Sequence, residues 1–90
     1  MKKVNGKENH KIKLFALSTC IWCKKTKELL NNLGFAYEYE DVDLLNLSER
    51  KKALNEMKKW EEESSFPLII IDNKSIQGFN EIEIKKLLNE

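Results

Sequence analysis

Ile12-Lys13-Leu14-Phe15-Ala16-Leu17-Ser18-Thr19-Cys20-Ile21-Trp22-Cys23 runs from an apolar stretch through a short turn into the only two cysteines of the chain. The first six residues read as a buried strand, Ser18-Thr19 as the turn, and the cysteines as the opening of a lysine-rich helix. An α-helix turns once in about 3.6 residues, so cysteines three apart fall on nearly one face and can close a disulfide. Cys20 takes the exposed end and Cys23 lies one turn inside. The exposed sulfur meets the positive end of the helix dipole, which favours thiolate over thiol. A pair able to cycle between dithiol and disulfide is a redox site.

Outward from this stretch, the helical pattern continues through Leu29, Leu30 and Leu33 to Gly34, a natural left-handed cap. Tyr37 to Asp43 alternates and reads as a second strand. Ser48 is the expected N-cap of a helix whose Leu54, Met57 and Trp60 share one apolar face. After Glu61 to Ser65 and the lone proline, Phe66-Pro67, the run Leu68-Ile69-Ile70-Ile71 reads as a buried strand. Asp72-Asn73-Lys74 then turns it into a short return strand, Ser75-Ile76-Gln77. Asn80 caps a last helix, with Glu83 completing a capping-box-like pair and Ile84, Leu87 and Leu88 forming its apolar face. The order βαβαββα begins with a crossover and ends with a hairpin. It predicts an α/β fold with a four-stranded mixed sheet and three helices distributed on both faces. Residues 1–11 are polar and without periodicity, so they are expected to form a flexible leader, with residues 12–90 as a single domain.

Composition narrows the function classes. Ninety residues make one small domain, and 41% hydrophobic content is enough for a modest core. Charged residues reach 34% yet nearly cancel, leaving +1, which argues against nucleic acid or an anionic membrane as partner. No apolar run has the length of a membrane span. The basic opening Met1-Lys2-Lys3 has no apolar stretch behind it and does not read as a signal peptide. Two closely spaced cysteines are too few for a secreted disulfide framework, so a reducing cytoplasm with a catalytic pair is expected.

Taken together, the strand, the Cys-x-x-Cys, the helix, the crossover, the proline entering a buried strand and Gly78-Phe79 before the last helix resemble the glutaredoxins. The resemblance covers residues 12–89 and implies a thioredoxin-like fold. Cys20 is then the expected nucleophile, with Lys24, Lys25 and Lys27 nearby, and Cys23 the thiol that resolves its mixed disulfides. The resemblance further implies a cis proline at Pro67 facing the disulfide, with the backbone of Phe66 free to pair with an extended substrate. Thr19, Trp22, Ser65, Phe66, Pro67, Gly78, Phe79 and Asn80 make up the expected substrate groove. Trp22 stands where tyrosine is common and reads as a substrate platform. Trp60 reads as core, and His10 as a solvated tail residue.

The resemblance also constrains the reductant. Glutaredoxins that use glutathione usually carry lysine three residues before the first cysteine, where this chain has Leu17. The family's Thr-Val-Pro becomes Ser65-Phe66-Pro67, and its Gly-Gly-Cys becomes Gln77-Gly78-Phe79. Gly-Phe at this point looks like the glutaredoxin-like electron donors of ribonucleotide reductase, which thioredoxin reductase recharges. The expected partners are therefore a disulfide-containing protein, with ribonucleotide reductase as one candidate, and a thioredoxin-reductase-type enzyme, with glutathione as the alternative co-substrate. A monomer without a tightly bound cofactor or metal is expected, because structural zinc wants about four ligands and the chain offers two cysteines and His10. One rival is of a different class. Two Cys-x-x-Cys motifs from two chains supply four thiolates, and some glutaredoxins bridge an iron–sulfur cluster when a residue other than proline, here Ile21, follows the first cysteine.

Overall fold

The computed structural model describes residues 1–90 and shows how two apolar strands divide the core. Side chains alternate across a strand. In β2 (Ile12–Ala16), Ile12, Leu14 and Ala16 point to one side and Phe15 to the other. In β4 (Leu68–Ile71), Ile69 and Ile71 join the first side while Leu68 and Ile70 join the second. The first side packs against Cys23, Leu29 and Leu30 of α1 (Ile21–Leu33) and against Ile84 of α3 (Glu81–Leu87) with Leu88 just beyond it. The second packs against Ala53 and Met57 of α2 (Leu47–Trp60). Three helices thus cover both faces of the sheet, as the pattern of apolar residues predicts.

The sheet has five strands rather than four. Its order is β1-β3-β2-β4-β5, with β1 at Lys2–Val4, β3 at Tyr37–Asp41 and β5 at Lys74–Gln77. Only β2 and β3 run parallel, joined by the α1 crossover; every other pair is antiparallel. The extra strand lies inside the segment expected to be a flexible leader. Lys2, Lys3 and Val4 pair with Tyr39, Glu38 and Tyr37, and the amino terminus meets the Glu40 carboxylate at 3.3 Å. Further along, the Lys7 N–H donates to the Gly34 carbonyl at 2.8 Å and the Ala36 N–H to the Lys7 carbonyl at 2.8 Å. His10 is not a solvated tail residue either: it bonds Asp72 at 2.9 Å and sits edge-on to Phe35. A polar edge strand held by backbone bonds has no apolar periodicity to announce it, which is why composition pointed to a leader.

Three smaller expectations also change. The N-cap of α2 is Asn46, not Ser48; its side chain accepts the Glu49 N–H at 2.9 Å, satisfying one of the orphan donors of the first turn. The second strand stops at Asp41, and residues Val42–Leu44 tighten into a 3-10 turn. Trp60, expected in the core, lies at the end of α2 and is 37% exposed. Gly34 (φ 77°) and Asn80, which accepts the Glu83 N–H at 3.1 Å, cap α1 and α3 as their residue types predict.

Candidate functional site

Three connections leave the same end of the sheet. Leu17 to Cys20 follows the last residue of β2, Ser65 to Pro67 precedes β4, and Gly78 to Asn80 follows β5. The strand register fixes this, because Phe15 lies beside Leu68 and Leu68 beside Gln77. Every residue of the expected groove belongs to one of these connections or to the first turn of α1.

The cysteine pair divides into an outer and an inner sulfur. Cys20 is the N-cap of α1, in extended conformation, and its Sγ accepts the Cys23 N–H at 3.2 Å. Its own N–H closes a turn onto the Leu17 carbonyl at 3.2 Å. Cys20 is partly exposed, whereas Cys23 is 0% exposed, and both are free thiols. Burial, reinforced by the Cys20 sulfur as bonding partner and as charge, pushes the Cys23 thiol up to about 12; the Leu17 backbone and the Lys27 ammonium oppose that push. Lys27, one turn beyond Cys23, is held at 3.0 Å from Asp41 and lies 4.3 Å from the Tyr39 ring centroid.

Around the sulfurs the groove assembles from distant parts of the chain. The Phe66–Pro67 peptide is cis, Pro67 is buried, and its carbonyl accepts the Gly78 N–H at 2.8 Å. Phe66 is partly buried against both halves of the core, yet its backbone N–H and carbonyl take part in no bond within the chain. Trp22 is 56% exposed and stacks on Phe79, ring centroids 5.8 Å apart and planes 20° from parallel. The Lys25 ammonium sits 5.9 Å from the Trp22 ring centroid. Gly78 has φ 78°, a left-handed conformation that suits glycine. Thr19 and Asn80 are exposed at the rim. Leu17 packs toward the apolar cluster under α2, so no cation stands at that position.

One residue that positions the site escaped the sequence reading. Asp43 accepts both the backbone N–H of Ser18, at 2.8 Å, and the Ser18 hydroxyl, at 2.5 Å, tying down the turn that delivers Cys20. Those bonds hold its carboxyl below the usual carboxylate range. Arg50 fastens the other side, its Nη2 donating to the carbonyls of Asp43 at 3.0 Å and Leu45 at 3.3 Å. Ser18 and Asp43 lie far apart in sequence, but the signal existed: the parallel register sets Ala16 beside Asp41, and two residues further each chain reaches Ser18 and Asp43.

A parallel crossover unit, an antiparallel hairpin, a half-exposed capping cysteine above a buried one and a proline loop beside them define a thioredoxin-like redox protein. Comparison with known proteins narrows this: the family model for glutaredoxin matches residues 12–76, and the chain belongs to the glutaredoxin family. It is 39% identical to a glutaredoxin-like 8.6 kDa protein in the rubredoxin operon of Clostridium pasteurianum, over 88% of this chain and 99% of that one. Among solved structures it resembles the glutaredoxin of Methanosarcina mazei Go1, with 42% identity, TM-score 0.91 and coverage of 99% of this chain and 87% of that one. Methanoredoxin of Methanosarcina acetivorans is similar at 44% identity and TM-score 0.85, over 89% of this chain and 85% of that one.

Proposed function

We propose that the chain reduces protein disulfides through a dithiol cycle at Cys20 and Cys23. The observation that carries this reading is the division of labour in burial: Cys20 opens to solvent at the helix start while Cys23 lies fully covered one turn below. The Cys20 thiolate attacks a substrate disulfide, forming a Cys20–substrate disulfide and releasing the first substrate thiolate. Cys23 then gives up its proton and attacks the Cys20 sulfur, forming the Cys20–Cys23 disulfide and releasing the second thiolate. Two electrons pass to the substrate, and a reductant must return them. The unpaired Phe66 backbone supports binding of an extended substrate segment as an added strand, and the Trp22–Phe79 stack supports a protein partner with apolar side chains beside its cystine. The apolar setting of Leu17 favours a thioredoxin-reductase-type enzyme over glutathione as electron source. Cys20→Ser should abolish disulfide reduction, and Cys23→Ser should accumulate mixed disulfides detectable by intact mass. Full activity in the Cys20→Ser protein would reject the assignment.

A further inference from the structure

The segment 62–66, which carries Phe66 to the groove, has neither helix nor strand, and no backbone–backbone hydrogen bond reaches it. Its polar anchor is a side chain. Oε1 of Gln77, the last residue of β5, accepts the Ser65 N–H at 3.1 Å and also the Ser65 hydroxyl. Gln77 Nε2 donates to Glu61 Oε1 at 3.2 Å, and Glu61 Oε2 accepts the Ser75 hydroxyl at 2.8 Å. The amide therefore braces the loop from both ends, since Glu61 is where α2 stops.

From this network we propose that Gln77 is a positioning residue that sets where an extended substrate pairs with the groove. The proposal rests on the oxidoreductase reading above. By occupying the Ser65 N–H, Gln77 withdraws that donor from pairing and leaves Phe66, the residue beside Pro67, with both its N–H and its carbonyl free. A strand advances about 3.3 Å per residue, so pairing displaced by one residue carries the substrate cystine away from Cys20 by more than the length of a sulfur–sulfur bond. A small disulfide without a peptide backbone is indifferent to this device.

The test compares two probes, a short linear peptide dimerised through one cystine and bis(2-hydroxyethyl) disulfide. Gln77→Met keeps the side-chain length and removes the bonds. Its kcat/KM on the peptide, relative to that on the small disulfide, should fall at least about tenfold, since a misplacement of about 1 Å can cost as much as about a hundredfold. Gln77→Glu sets two carboxylates against each other and should lose the same selectivity. The exchange Gln77→Glu/Glu61→Gln restores one amide donor and one acceptor across the gap, and should recover it. An unchanged ratio in a folded Gln77→Met protein overturns the proposal, as does an equal fall on both probes or a failure of the exchange to recover the peptide. A parent protein that reduces neither probe overturns the oxidoreductase reading as well.

Discussion

Cys23 is the residue at which structure and chemistry are most tightly linked. To act as the resolving thiol of the proposed cycle Cys23 must ionise, yet burial holds it near 12 against an ordinary 9.0. In the proposed cycle, Cys20 bound in a mixed disulfide carries no charge to oppose the ionisation of Cys23, while the Lys27 charge still assists it. On that proposal, Cys23 becomes easier to ionise at the step that uses it. The same shift has a stability consequence with a definite sign. A folded value above the unfolded one means that the native state holds the proton longer, so the stabilisation is complete below pH 9.0 and is lost as pH rises toward 12. The reduced protein should lose stability in that window at a slope approaching about 1.4 kcal/mol per pH unit for one proton. Tyr37, also pushed up by burial, contributes in the same region. Urea unfolding of the parent and Cys23→Ser across this range isolates the cysteine as the difference between their slopes; identical slopes would refute the account. At Asp43 the shift is downward, so its contribution is present at neutral pH and is lost as pH falls through the depressed value. Asp43→Ala frees the Ser18 turn and should slow disulfide reduction several-fold, with Asp43→Asn intermediate because its amide oxygen still accepts one bond. Steady-state turnover measures this, and parent-like rates in Asp43→Ala would show that the turn holds its place unaided.

At the scale of elements, the N-terminal segment makes the sharpest prediction. Gly6 runs so close to the Gly34–Ala36 backbone that an added Cβ would lie 2.6 Å from the Gly34 oxygen and 2.7 Å from the Ala36 nitrogen. The obstacle is backbone, which cannot rotate away, so Gly6→Ala must push the two segments apart and loosen the Lys7 bonds that flank them. Overpacking of this kind costs about 1–3 kcal/mol, and a lowered urea midpoint would record it. Faster amide exchange at Lys7 and Ala36 should accompany the loss; an unchanged midpoint would mean that the segment is not clamped. This is also where the sequence was least legible. The core strands and α1 announce themselves through continuous apolar runs, helical spacing and Gly34, because burial is written into residue type. The strand Lys2–Val4 buries little and is held by backbone bonds that any residue can make. Asn46 and Ser48 are both good caps by residue type, and the choice falls to Asn46, whose side chain accepts the Glu49 N–H, while Trp60 is the last residue of α2. That the cysteines open α1 and that residues 65–67 and 78–80 gather at the same end of the sheet is legible in the order of elements along the chain. Gln77 and Asp43 act through partners that only the sheet register brings near.

Across the whole molecule, the site is a seam where three connections meet, and what surrounds the sulfurs decides which reductant fits. A small acidic tripeptide thiol such as glutathione needs cations and open backbone at the groove. Here Leu17 turns into the apolar cluster, and a stacked Trp22–Phe79 pair bridges α1 to the loop after β5, with Lys25 at its rim. Such a surface has large apolar area to give a protein partner, and it lacks the cation at position 17 that a free carboxylate would pair with. Recharging of the Cys20–Cys23 disulfide should therefore run at least about tenfold faster with thioredoxin reductase than with glutathione plus glutathione reductase, a margin worth about 1.4 kcal/mol in the transition state. Following NADPH consumption with matched disulfide substrate measures both routes. Two substitutions locate the cause: Leu17→Lys should raise the glutathione rate by restoring a cation, and Phe79→Ala should depress the reductase rate by breaking the stack. If glutathione proves the faster donor in the parent protein, the apolar seam is not what selects the electron source, and the contribution of Trp22 and Phe79 has to be sought on the side of the disulfide substrate instead.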